Sequence, residues 1–320
     1  MTLNLTNSPT LLNDYGIIFV EGPDAASFLQ NQLTNSVLGL KQNALETISP
    51  NSEVRLVGYC SAKGRLLATA WLSLYQNDHG EDCFVLFLSK DIAASFSKRL
   101  SMFVLRSKVK VMDMSDSWQV GGVIGLDSSF NLNGFGTKVG MSLPDLVYQG
   151  KKYHRILLAG DRLQITENAT SLSFWQGIEI ASGIPRITSG TQDLLVPQMV
   201  NFESVGGVDF KKGCYPGQEV VARSQYRGVI KRRLFIATAE STTELSRPGT
   251  ELFHSADPEQ PAGLVILSAP HFDNPQQLDL QIELKLEFAE SLKTGASLCL
   301  GSISGPRLSL EKPPYSLLEI

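Results

Sequence analysis

The residues of this chain best placed to do chemistry lie in one stretch, Phe210–Arg223, which reads FKKGCYPGQEVVAR. Two lysines lead into a glycine and Cys214, Tyr215-Pro216-Gly217 makes a turn, and Gln218–Arg223 has the composition of a helix's first turns. Cys214 is therefore expected just ahead of a helix N-terminus, beside Lys211 and Lys212. A helix dipole and neighbouring cations both favour thiolate over thiol, which is how proteins make a cysteine nucleophilic. That makes Cys214 the candidate catalytic residue; the alternative is a small residue filling a tight turn.

Charge is segregated around the same stretch. From Lys211 to Arg233 seven cations (Lys211, Lys212, Arg223, Arg227, Lys231, Arg232, Arg233) face one anion, Glu219, in a chain whose net charge is −4. Such a run suits a carboxylate-rich or phosphate-rich ligand, and it also suits a solvated face. The overall charge excludes a global positive field that would draw the protein to DNA or anionic lipid.

Other chemistries lack a signature. GFGTKVG at Gly134–Gly140 has its last interval one residue too long for a dinucleotide fingerprint, and there is no GxxxxGK[ST] loop, HExxH or GxSxG. His79, His154, His254 and His271 are isolated, so no metal site is expected. Cys60, Cys83, Cys214 and Cys299 form no CxxC, which suits free thiols in a reducing compartment. The first basic residue is Lys41, and apolar runs such as Leu66–Leu74 are far shorter than the ~20 residues that span a bilayer. A cytoplasmic protein without membrane association is expected.

The elements that must position these residues mix helix and strand without a regular βαβ beat. Ile17–Val20 reads as a strand, and Gly22-Pro23-Asp24 as a helix entrance. Val54–Cys60 and Leu66–Tyr75, linked by Ser61–Gly64, read as a hairpin, followed by a strand at Cys83–Leu88 and a helical period from Asp91 to Val104. Val109–Met112, Val120–Ile124 and Tyr153–Ala159 are strand-like, Asn131–Gly140 reads as a loop, and a helix is expected over Leu172–Ala181. From Lys231 onward short apolar runs separated by Gly, Pro, Asn and Ser predict an all-β module. With 320 residues, 42% hydrophobic, the chain can bury a large core without metals or disulfides, as an α+β body with a small C-terminal β-barrel.

FKKGCYPGQEVVAR resembles the signature of the YgfZ family, relatives of the glycine-cleavage T-protein (aminomethyltransferase) and of the folate-binding domain of a tRNA-modifying GTPase. GPDAASFLQNQLT near the N-terminus, YCSAKGR at Tyr59–Arg65, SGIP at Ser182–Pro185, VPQMVN at Val196–Asn201 and PPYSL near the C-terminus follow the family's order. The resemblance implies a T-protein-like three-lobed ring: two interleaved α+β lobes over residues 1–230, and a C-terminal β-barrel over residues 231–320. It implies tetrahydrofolate, or a one-carbon-substituted folate, in the central hole. It further implies a role supporting iron–sulfur enzymes and, through them, tRNA modification, so that folate and iron–sulfur tRNA-modifying enzymes are the expected partners. Residue by residue, it puts Tyr15 and Trp175 at the aromatic positions facing the folate. It assigns Gln198, Asn201, Lys211, Lys212 and Arg223 to cofactor binding, and Cys214 to chemistry.

The chain also departs from the T-protein pattern. Where that enzyme has an Asp assisting one-carbon chemistry, Arg65–Thr69 offers no carboxylate. Its pterin-gripping Glu is matched by Ala181, and Glu179, two residues earlier, lies about 200° around a helix, which predicts that it cannot substitute without a shift. A folate-binding factor for tRNA modification is thus the leading reading. The alternatives are a true aminomethyltransferase, against which the missing carboxylate argues, and a tRNA-binding protein using the Lys211–Arg233 patch.

Overall fold

The structure, a computed structural model, describes residues 7–43, 53–77, 79–126, 130, 134–240 and 246–318. The chain opens with β1 (Thr10–Leu11) and β2 (Tyr15–Glu21), then α1 (Ala25–Gln30), β3 (Arg55–Cys60), β4 (Leu66–Gln76), β5 (Asp82–Ser89), α2 (Lys90–Ser101) and β6 (Lys110–Asp113). β2 to β6 form an antiparallel sheet in the order β3-β4-β5-β2-β6. Strands β4 and β5 are apolar without alternation and are buried along almost their whole length, the pattern of strands covered on both faces. On one side α2 lays down Ile92, Ala93, Phe96 and Leu100, a helical stripe in which Phe96 meets Tyr59 edge to face at 5.4 Å.

A second antiparallel sheet contains β7 (Gln119–Gly125), β8 (Val139–Tyr148) and β9 (Lys151–Gly160) in the order β1-β7-β9-β8. Because β1 pairs with β7 through Thr10–Gly122 and Leu11–Gly121, the chain begins in this sheet, leaves to build the other, and returns. This is the interleaving of two α+β lobes expected from the sequence. α3 (Ala169–Ala181) follows, starting one turn before the expected Leu172 because the Asn168 side chain accepts the N–H groups of Thr170 and Ser171. A 3₁₀ turn at Pro197–Val200 and α4 (Gln218–Tyr226) complete this part.

The C-terminal strands are β10 (Arg232–Glu240), β11 (Glu251–His254), β12 (Asp257–His271) and β13 (Asn274–Lys285), then helix α5 (Leu286–Ser291), β14 (Leu298–Leu300) and β15 (Ser309–Glu311). Their order is β14-β11-β12-β13-β10-β15. The segment before β15 also bonds to β14: Leu308 donates to the carbonyl of Leu298, and Cys299 bridges Arg307. One strand-like segment thus joins the two ends of the sheet, closing it into the expected barrel and removing its free edges. The barrel has a core of its own around Leu252, Val265, Leu280 and Ile282, while Leu234, Ile266, Leu267 and Ala269 belong to the core shared by both lobes.

Of the expected loop Asn131–Gly140, residues 131–133 lie outside the described residues, Gly134–Gly136 is a turn, and Val139 already begins β8. The short elements β11, α5 and β15 lacked a distinguishing pattern in the sequence. Among the described residues no helix is long and apolar enough to cross a membrane.

Candidate functional site

Trp175 and Glu179 stand one turn apart on α3, so both point to the same side, where the two sheets meet. Gly122 of β7 makes room for the indole: a Cβ there would come within 2.5 Å of the ring. Tyr15, the first residue of β2, donates its hydroxyl to Glu179 Oε1 at 2.5 Å. Arg186, just past the Ser182–Pro185 turn, donates Nε to Oε1 at 2.8 Å and Nη2 to Oε2 at 3.2 Å. Its Nη2 also reaches Asp14 Oδ2 at 2.6 Å, its Nη1 reaches Ser89 Oγ at 3.2 Å, and its Cζ lies 4.4 Å from the centre of the Tyr15 ring.

The electrostatics of this cluster are set by burial. Burial, reinforced by the Glu179 charge, raises the Tyr15 hydroxyl well above its ordinary value, so it is a donor at any physiological pH. Burial also opposes the Arg186 charge, but Glu179 and Asp14 outweigh it and raise the group. From the barrel, the buried Gln281 of β13 donates one amide to the carbonyls of Glu179, Ile180 and Ile184 at 3.2, 3.1 and 3.3 Å. The C-terminal end of α3, whose last carbonyls lack partners within the helix, is thereby fixed by a residue from the third lobe.

Tyr15, Trp175, Glu179 and Arg186 line a cavity completed by Thr69 and Trp71 of β4, Phe87 of β5, Leu143 of β8 and Arg155 of β9. Its donors and acceptors suit a flat, nitrogen-rich ring: a buried carboxylate, two aromatic side chains, and the Trp175 Nε1–H, which is buried without a partner. Its free space, about 20 Å³, holds a water and not a bicyclic ring, because the Arg186 guanidinium covers Tyr15 and engages Glu179. Beyond Arg186 a cleft of about 610 Å³ opens, with Asp14, Lys90, Asp91, Ser189 and Arg247 in its wall. Among the described residues, Arg186 is the one that lines both spaces.

Glu179, set aside in the sequence for its angle from Ala181, lines this cavity. The carboxylate reaches the cavity with α3 undistorted, because the relevant spacing is four residues from Trp175 rather than two from Ala181. Arg186 and Gln281 were not anticipated; a cation three residues after Gly183 was the only available signal for the former.

The remaining candidates lie elsewhere. Cys214 is exposed, four residues ahead of α4. Gln198 and Asn201 are buried joints: Gln198 donates to the Val221 carbonyl at 2.9 Å, and Asn201, in a left-handed conformation, donates to that of Leu234 at 3.0 Å. Lys212 is buried, its ammonium donating to the carbonyls of Gln30 and Leu33; burial lowers it to about 8, so it stays charged at neutral pH. Lys211 is exposed, and Arg223, also exposed, pairs with Glu219 at 2.7 Å. Arg232 pairs with Glu283, and the buried Arg233 with Glu203. Three of the seven cations, Lys212, Arg232 and Arg233, are thus engaged inside the fold, Arg223 sits in a surface pair, Lys211, Arg227 and Lys231 are exposed, and none of the seven lines the cavity. Among the described residues no three His, Cys, Asp or Glu side chains converge as metal ligands.

No protein-family model matches the chain. It is 30% identical to "tRNA-modifying protein YgfZ" of Aliivibrio fischeri over 315 residues, covering 89% of this chain and 93% of that protein. It is 32% identical to the protein of the same name from Edwardsiella ictaluri, covering 70% and 69%. An uncharacterized protein of Haemophilus influenzae is 32% identical over 73% of this chain and 74% of its own. Among solved structures, the glycine cleavage system aminomethyltransferase T from Bartonella henselae superposes with a TM-score of 0.60. That match spans 97% of this chain and 86% of the other, at 14% identity, a likeness of fold.

Proposed function

Since the chain belongs to the YgfZ family, whose named members are tRNA-modifying proteins, we propose that it supports tRNA modification with a folate bound against α3. The observation that carries the folate half is the buried Glu179 carboxylate, set between Tyr15 and Trp175. A carboxylate there accepts paired N–H donors, the aromatic rings supply stacking faces, and the lone indole N–H awaits an acceptor. Tetrahydrofolate bound there would supply a carrier for one-carbon units. The carboxylates of its tail would meet Lys90 and Arg247 in the cleft, rather than Lys211, Lys212 or Arg223.

The chain's own groups are poor at moving protons near this cavity. Tyr15 retains its proton, Glu179 is held by Arg186, and Thr69 donates to the Pro185 carbonyl while accepting from Ile187 N–H. This supports a folate-binding factor over an aminomethyltransferase. Iron–sulfur tRNA-modifying enzymes are its proposed clients, with the exposed Cys214 as the group presented to them.

Equilibrium dialysis against tetrahydrofolate, with Glu179→Gln as comparison, tests the folate half; saturable binding lost in the variant is expected. Mass spectrometry of tRNA nucleosides from cells lacking the gene tests the other half. Thiolated nucleosides should fall, and recover with the wild-type gene. Unchanged nucleosides would refute the tRNA role.

A further inference from the structure

The guanidinium of Arg186 holds an unusual combination of contacts. Its Cζ lies over the Tyr15 ring, and two of its N–H groups, on nitrogens attached to one carbon, donate to the two oxygens of Glu179. A planar N–C–N edge that donates to a carboxylate and sits over an aromatic ring is also what a 2-amino-4-oxopteridine offers through its N3–H and 2-amino group. Both cannot occupy one place, and the space left is about 20 Å³.

We propose that Arg186 is an internal stand-in for the ring of the ligand. It occupies the ligand's position against Glu179 and Tyr15, and swings into the outer cleft when a heterocycle with the same donor edge displaces it. This rests on the folate reading and deepens it in two ways. The stand-in selects for the edge, because a ring presenting a carbonyl at that position would put an acceptor against Glu179 and could not replace two donors. It also keeps the carboxylate paired in the free protein, where an unpaired buried charge would be costly. The cleft has room for the released side chain, and Asp14, already bonded to Nη2 at 2.6 Å, lies on that side.

The experiment compares wild type, Arg186→Ala and Arg186→Lys as purified full-length proteins. Circular dichroism confirms folding, and calorimetry measures binding of tetrahydrofolate, of tail-less 6-methyltetrahydropterin, and of a lumazine, whose position 2 is a carbonyl. The lysine variant keeps a cation beside Glu179 without the planar donor edge, so it covers the case in which the alanine variant fails to fold. The tail-less pterin should bind at least tenfold more tightly to both variants than to wild type, and the lumazine should gain nothing. In the alanine variant, millimolar guanidinium should compete with the pterin. Pterin binding that is unchanged or weakened in both variants would overturn the stand-in. If tetrahydrofolate then binds all three proteins alike, the folate reading survives without it; if no protein binds any folate or pterin, both fall.

Discussion

Gly64 and Gly217 rest directly on one another, both in the left-handed region at φ of +70° and +77°. A Cβ at 217 would lie 2.6 Å from the Gly64 Cα and 2.3 Å from the Ser61 carbonyl oxygen. The turn of the β3–β4 hairpin and the turn that presents Cys214 are thus one packed unit, although more than 150 residues separate them in sequence.

Gly217→Ala should therefore destabilise the protein by about 2 kcal/mol or more, since a left-handed alanine costs ~1–2 kcal/mol before the backbone collision is counted. Urea denaturation measures this. A loss under about 0.5 kcal/mol would mean that the two turns separate easily.

Cys214 should react with iodoacetamide far faster than the other three thiols. It is exposed, whereas Cys60, Cys83 and Cys299 are buried, and burial pushes the Cys60 thiol up to about 12 and raises Cys83 too. Peptide mapping after brief alkylation at neutral pH should find the label at Cys214. Comparable labelling of Cys60 in the folded protein would contradict the packing of β3.

Glu203→Ala should cost about 3–5 kcal/mol, because it strands the buried Arg233 guanidinium. Glu203→Leu combined with Arg233→Met should recover much of that loss, since no charge is then left buried. Thermal denaturation distinguishes them; a double variant as unstable as the single one would show that the pair is needed for more than neutralising its own charges.

The barrel should weaken in mild acid. Buried His254 accepts the Ala256 N–H on Nδ1 at 3.1 Å, contacts Ser291 through Nε2 at 3.0 Å, and stacks on Phe288 at 4.4 Å. Burial lowers it from its usual 6.5, so the unfolded chain takes up the proton first. Its contribution is complete above pH 6.5 and declines as pH falls through the lower folded value. His254→Gln should flatten that part of the stability profile between pH 7 and 5; an unchanged slope would assign it to other groups.

The hairpin around Ser61–Gly64 was legible in the sequence because its signals are local, whereas the interleaving of the lobes was expected only from the family resemblance. The cavity was only half legible. The family resemblance pointed to Tyr15 and Trp175, which both line the cavity, but Glu179 was judged by its angle from Ala181, and its place emerges only when Arg186 and Tyr15 are seen to converge on it. The cationic run was legible only as a count, for a related reason. Sequence shows how many charges there are, while the partners that consume them (Glu203, Glu283, and the carbonyls of Gln30 and Leu33) come from other elements. Strand β8 was obscured by Pro144 and Asp145, where the ladder with β9 shifts register between Leu143 and Leu146.

Tyr315 follows the segment that closes the barrel, and its hydroxyl donates to the Gly183 carbonyl at 2.7 Å while Asn201 reaches it at 3.4 Å. Its ring also fills the space beside Gly183, where a Cβ would come within 2.9 Å. During translation the lobes emerge first, yet the turn between α3 and Arg186 gains its outer support only once residue 315 has been made. Completion of the cavity wall is thus timed by the far end of the fold, and a chain shortened before Tyr315 would carry every cavity residue and the Gln281 anchor while losing the bond to the Gly183 carbonyl.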